Sequence, residues 1–227
     1  MVHRTAVANA KLFFDTYLRD AGRATVVEIG SQNVNGSIKG QFPGVSYIGV
    51  DFAAGKDVDV VLQDPYSLPF HDDYADAVVT SSCFEHSEFF WLTFLECARV
   101  LKPGGLIYLN VPSNGPVHGY PVDCWRFYPD AGRALGRWAQ RNGHDVIELE
   151  SYTSDQEEGR WNDFVAVFLK DQTHLPRRPR RIIDSFTAFT NGRRHGEDQA
   201  LNRKPLTEDQ RAIEAIQKFV APRLKPV

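Results

Sequence analysis

Apolar residues fall in short runs that stop abruptly on polar positions, a pattern that predicts strands alternating with helices. Residues 25–29 form such a run, with Glu28 near its end, and break into Gly30-Ser31-Gln32-Asn33-Val34-Asn35-Gly36; residues 47–50 form a second run closed by Asp51. The two acids stand 23 positions apart, which suits a strand, a tight turn, a helix and a neighbouring parallel strand. Both carboxylates then lie at the carboxyl edge of one sheet, where open α/β sheets bind nucleotide-like ligands, so the expected ligand carries a ribose.

Residues 6–19 place Leu12, Phe13, Tyr17 and Leu18 at helical spacing, with Gly22 as terminator, and this helix is expected near the mouth of the ligand site. Ser87 with Glu88 can start a second helix whose apolar stripe is Phe90, Trp91, Phe94, Leu95, Ala98 and Leu101. Residues 129–141 read as a third helix with Leu135 and Trp138 inward, and 145–152 and 163–169 as two strands joined by a polar loop, a closing antiparallel pair. Beyond Asp171 the chain reads as irregular until Thr207, which with Gln210 makes a capping box for a helix through Val220 that docks by Ile213, Ile216 and Phe219. The organisation expected is one domain over 1–170 and an extension over 171–227 that wraps the surface or packs across a partner subunit in a homodimer.

At 227 residues and 42% hydrophobic content the chain can bury one ordinary core. No apolar window is long enough for a membrane span and no secretory signal is apparent, so a cytoplasmic location is expected. Cys83, Cys97 and Cys124 are odd in number and lack metal-ligand spacing, which fits reduced thiols. The net charge of −3 divides into −8 over 1–170 and +5 over 171–227. Arg177, Arg178, Arg180 and Arg181 are interrupted by Pro176 and Pro179 and have no interleaved aromatics, so they fit a match to the acidic body and not a nucleic-acid partner.

Where a dinucleotide fingerprint needs further glycines this chain has Gln32 and Asn35. The order of acid, apolar residue, Gly30 and a Ser/Asn loop instead resembles the first motif of class I S-adenosylmethionine-dependent methyltransferases. Only Gly30 of that family's three glycines is present, and Asn33 and Asn35 can take positive φ in place of the others. The resemblance implies that Glu28, Gly30, Ser31, Gln32 and Asn33 cradle the methionine part of the cofactor and that Asp51 holds the ribose hydroxyls. Residues 58–64 resemble the third strand, with Asp64 toward the adenine amino group. Residues 76–82 resemble the fourth, leading through Ser82 to Cys83-Phe84-Glu85-His86 beside the cofactor. Leu101-Lys102-Pro103-Gly104-Gly105, before the run 106–112, is similar to the turn preceding the fifth strand in the type 11 group, which includes sterol, quinone and sugar methylating enzymes. The fold implied over about 20–170 is α/β, a three-layer Rossmann-like seven-stranded sheet with an antiparallel last strand, to which this chain adds a C-terminal helical tail.

Methyl transfer from a sulfonium is an in-line displacement that needs alignment and, at a hydroxyl, loss of a proton. The long loop 112–128 after the fifth strand is therefore the expected site of chemistry. His118 is the first choice for general base. His86 is a second choice, or a cofactor contact. Glu85 and Asp123 organise the acceptor, although Asp123 equally suits a cap on the turn before Trp125, and His144 is structural. Tyr120, Trp125, Arg126 and Trp161 are acceptor-binding candidates, because aromatic faces beside acids suit a small molecule or oligosaccharide. Segment 120–131 also resembles the mycobacterial methylmannose and polysaccharide sugar O-methyltransferase group. That likeness implies a sugar hydroxyl as acceptor and, in several relatives, Mg²⁺, for which Glu85, Asp123 or Asp163 would supply oxygen ligands. The alternatives are methylation of a lipid-like or polyketide hydroxyl, and a cofactor-binding module without chemistry.

Overall fold

The computed structural model describes residues 3–155 and 161–221. In chain order the elements are α1 (Arg4–Phe13), β1 (Thr25–Ile29), β2 (Ser46–Asp51), β3 (Val60–Val61), β4 (Ala75–Ser81), α2 (Phe90–Val100), β5 (Leu101–Pro112), α3 (Ala131–Arg141), β6 (Val146–Ser154), β7 (Asp163–Lys170), β8 (Phe189–Arg194) and α4 (Glu208–Val220). One sheet runs β3-β2-β1-β4-β5-β7-β6-β8. Strands β1 to β5 are mutually parallel, β7 is antiparallel to both its neighbours, and β8 is antiparallel to β6.

The period of two along each strand divides the core between the two faces of the sheet. Val27, Val78, Ile107 and Leu109 pack with Phe94, Cys97 and Ala98 of α2 and Leu135 of α3. Their neighbours Val26, Val79, Leu106 and Tyr108 pack on the opposite face with Phe13 and Tyr17. Cover on both faces explains why β1, β4 and β5 read as nearly continuous apolar runs.

The α/β reading, the Rossmann-like sheet and the C-terminal helix are all present, and the strand count rises to eight. The eighth strand comes from the segment expected to be irregular: Phe189 and Thr190 are buried and β8 covers the edge that β6 would otherwise expose. The helix expected between β1 and β2 is a loop with a single 3₁₀ turn, Lys39–Gln41. Asn33 folds back so that its Oδ1 accepts from Gly36 N at 3.0 Å, and Gly40, Pro43 and Gly44 discourage helix propagation.

The first helix ends in a π turn, Phe14–Leu18, and Phe13 and Phe14 pack tilted or edge-on against Phe42 and Tyr108, so it covers a sheet face and not the cleft mouth. Helix α2 starts at Phe90 with no side-chain cap; the carbonyl of Ser87, the expected cap, accepts from Trp125 Nε1. Leu101-Lys102-Pro103-Gly104-Gly105 lies inside β5 but keeps its turn character, since Ala75 pairs with Leu101 while Ala77 pairs with Leu106 and Gly104 has φ +78°. Part of the polar loop between β6 and β7, residues 156–160, lies outside the described residues. The Thr207/Gln210 capping box forms. Ile213, Ile216 and Phe219, however, are 54%, 61% and 61% exposed, so among the described residues these side chains are not buried against the body as expected. Polar contacts at the first turn hold α4 instead, Asp209 to Asn114 and Glu208 to Asn162.

The arginine cluster is largely absorbed by the body. Arg178 donates to the carbonyls of Tyr17 and Gly104, Arg180 pairs with Asp20, and Arg181 donates to the Leu149 carbonyl. Beneath them the fully buried Glu150 accepts from Tyr17 Oη at 2.5 Å and from the amides of Ile182 and Ile183 at 2.8 and 3.1 Å. Glu150→Ala leaves those three donors unpaired, so it is expected to lower unfolding free energy by about 3 kcal/mol or more, measured by urea denaturation, and to raise protease sensitivity in the segment after residue 171.

Candidate functional site

A cleft of ≈ 360 Å³ opens at the carboxyl ends of β1, β2 and β4, floored by Ile29, Gly30, Val50, Asp51, Ser81 and Ser82 and roofed by residues 118–122. Gly30 has φ +78°, and a Cβ there would lie 2.6 Å from both Cβ and Sγ of Cys83, so a side chain cannot be accommodated at the exit of β1. Asp51 is 6% exposed. Its two oxygens accept from Gln32 N and Ala53 N, both at 3.1 Å, which fixes the carboxylate in the cleft floor. Gln32 and Ser82 also line the cleft, Ser82 in a positive-φ conformation.

The other expected cofactor contacts stand back from this surface. Ser31 is buried against Gly49. Asn33 holds Asp57 at 2.7 Å. Asp64 is exposed and accepts from Tyr66 N, while its neighbours Leu62, Pro65 and Tyr66 line the cleft. Glu28 is buried, and burial pushes its carboxyl up to about 7. Cys83, expected beside the cofactor, lines the cleft, as do Phe52 and Tyr66, which were not singled out from sequence. The available signal was their position just beyond strand ends, which does not distinguish a lining residue from a surface one.

At one end of the cleft the loop after β5 meets the 3₁₀ turn Phe84–His86 that follows β4. Cys124 N and Trp125 N both donate to the Glu85 carbonyl, and His86 Nδ1 is 2.5 Å from the Val122 carbonyl. These bonds draw His86 and His118 to a ring separation of 4.9 Å. Asp123 accepts from His118 N at 2.7 Å and lies 3.3 Å from His118 Nδ1. Arg126 grips both Asp123 oxygens, at 2.5 and 2.8 Å, and holds that carboxyl well below the usual range. Glu85 is 1% exposed; burial pushes its carboxyl up to about 8 and pushes the His86 imidazole down.

Thus His118, His86, Glu85 and Asp123 come together. Of the acceptor-binding candidates Tyr120 lines the cleft and donates to Gln32 Oε1 at 3.2 Å. Trp161 packs on His118 and under Arg126. Trp125 faces Phe90 and Trp91 instead, and the Arg126 guanidinium is occupied by Asp123 and by the carbonyls of Trp125 and Pro116. The oxygens expected around Mg²⁺ do not converge, because Asp123 is paired with Arg126 while Asp163 lies with Asn110 and His3.

The parallel strands, the inserted antiparallel β7 and the cleft over their carboxyl edge make a Rossmann-like α/β domain. Residues 14–109 match the family described as Methyltransferase domain. An uncharacterized methyltransferase of Mycobacterium marinum is 34% identical over 113 residues, 44% of this chain and 44% of the relative. One of Mycobacterium leprae is equally identical over 44% of this chain and 42% of its own. The chain thus spans less than half the length of the curated relatives it matches. Among solved structures, the 1,6-didemethyltoxoflavin-N1-methyltransferase of Burkholderia thailandensis, with bound 1,6-didemethyltoxoflavin and S-adenosylhomocysteine, superposes with TM-score 0.56 at 16% identity, over 73% of this chain and 78% of that one. The [4+2]-cyclase SpnF superposes at 0.53 with 14% identity, over 73% and 82%. These two are likenesses of fold. No helix among the described residues is long and apolar enough to cross a membrane.

The buried Glu28 yields a test of the floor. Its carboxyl is raised from 4.5 to about 7 by burial, with the nearby Asp57 and Asp51 adding to the shift and Tyr47 and Lys39 opposing it. Folding therefore takes up a proton between these values, and the stability contributed by the neutral form is lost as pH rises through the window. Relative to Glu28→Gln, the parent should lose up to about 3 kcal/mol between pH 5 and pH 8. Denaturation of both proteins at the two pH values measures it; parallel pH profiles would show that Glu28 ionises normally.

Proposed function

We propose that this protein transfers a methyl group from S-adenosylmethionine to a hydroxyl of a small molecule or oligosaccharide. The observation that carries the reading is the joining of two features in one cleft: a fixed carboxylate, Asp51, on the floor, and the Glu85, His86 and His118 corner under the roof. In this reading Asp51 takes the ribose hydroxyls, Leu62, Pro65 and Tyr66 border the adenine, and the backbone at Gly30 and Gln32 passes under the methionine part. The reactive methyl then faces the corner, where the acceptor loses its proton. Tyr120 and Trp161 are the aromatic faces left to border a sugar ring. A lipid-like or polyketide hydroxyl is the second reading, favoured by the exposed Val34, Phe52 and Val122 at the cleft.

Calorimetry with S-adenosylmethionine, followed by product masses from panels of sugars and of apolar alcohols, separates these readings. Asp51→Ala should weaken cofactor binding by about 1–3 kcal/mol, the range for hydrogen bonds to a charged partner; unchanged affinity would remove the ribose assignment. His118→Ala should lower turnover by about 10²–10⁴ with cofactor affinity nearly intact. Turnover that survives in His118→Ala but collapses in His86→Ala would move the proton-handling role to His86.

A further inference from the structure

The corner assigned above to the acceptor has a geometry that two free histidines and a carboxylate do not need. One carboxylate oxygen of Glu85 and one ring nitrogen each of His86 and His118 lie within 4.8 Å of one another, and Glu85 Oε1 is 3.7 Å from His86 Nε2. Ligand atoms about 2.0–2.2 Å from one ion stand roughly 3–4 Å apart, so small side-chain rotations complete the set. Glu85 Oε2 and His86 Nε2 are buried with no hydrogen-bond partner, although such orphaned polar atoms cost stability.

The outward nitrogens are arranged as a metal site requires. His86 Nδ1 lies on the Val122 carbonyl, leaving Nε2 toward Glu85, and His118 Nδ1 lies 3.3 Å from the Asp123 carboxylate and 3.4 Å from the Arg126 guanidinium; carbonyl–histidine and carboxylate–histidine pairs of this kind set the tautomer and basicity of metal-bound imidazoles. Arg126 in turn fixes Asp123. His86 and His118 line the cleft, so coordination positions beyond the three protein donors open toward it.

We propose that Glu85, His86 and His118 bind one divalent first-row transition ion, through two imidazole nitrogens and one carboxylate. Two nitrogen donors favour zinc, iron, cobalt or nickel over magnesium, which takes oxygen. This rests on the reading of that corner as the reacting end of the cleft. It deepens it: an acceptor hydroxyl in an open position would be polarised by the ion, and His118 would act as a ligand rather than as the free base expected from sequence.

The test is to strip the full-length chain with chelator and titrate it with Co²⁺, following d–d absorption, and with Zn²⁺ by calorimetry. One equivalent should bind, with nitrogen-ligand Co²⁺ bands. Affinity should fall at least about 100-fold in Glu85→Gln and His86→Ala and about 10–100-fold in Asp123→Asn, while His71→Ala, outside the cluster, matches the parent. Circular dichroism confirms that each variant is folded, and the parent's own stoichiometry and spectrum stand if a variant does not fold. Absence of one-equivalent binding in the parent, or binding that folded Glu85→Gln and His86→Ala retain in full, overturns the proposal. S-adenosylmethionine binding is measured separately: failure of metal binding with cofactor binding intact removes only the ion, and the reverse removes the cofactor reading.

Discussion

The close approach of Gly30 to Cys83 sets the dimensions on which the rest of this molecule depends. The exits of β1 and β4 come together with only the Cys83 side chain between them, and the left-handed backbone at Gly30, which carries no side chain, permits it. Once the two exits touch, Asp51 on the next strand faces the space above Gly30, and the turn bearing Glu85 and His86 leaves β4 at the far end of that space. The cleft is what remains between these fixed points after residues 118–122 fold across it.

Three acids differ in how their carboxylates are used. Glu150 pins the tail to α1 through one hydroxyl and two amides. Asp123 organises the loop after β5 through His118 and Arg126. Glu85, by contrast, has an oxygen that nothing satisfies. The first two are consumed by structure, whereas Glu85 stands beside His86 and His118 with that oxygen unpaired.

The sheet was legible in the sequence because its strands are buried on both faces and each ends on a polar breaker; Glu28 and Asp51 mark two such ends correctly. The segment between β1 and β2 was misjudged as a helix because its length allows one, whereas Asn33 bonding to Gly36 is a local competition that spacing does not reveal. Strand β8 was hidden because its sequence, Phe189 to Arg194 with Gly192 and two arginines, resembles a polar linker until an open sheet edge is available to pair with. In the loop 112–128, residue types alone did not tell which side chains enter the cleft. His118 and Tyr120 enter the cleft, while Trp125 and Arg126, equally conspicuous in sequence, are spent on packing and on Asp123.

The hydrogen bond from Tyr120 to Gln32 joins the roof to the loop that leaves β1. Gln32 is tied to Asp51 through its amide and to Ala54 through its side chain, so the two halves of the cleft share a mechanical latch. A ligand that shifted Gln32 would pull on the roof beside Glu85, His86 and His118, and any resulting coupling between the two halves must be reciprocal. Occupancy of one half would then tune affinity in the other, a link that neither half possesses separately.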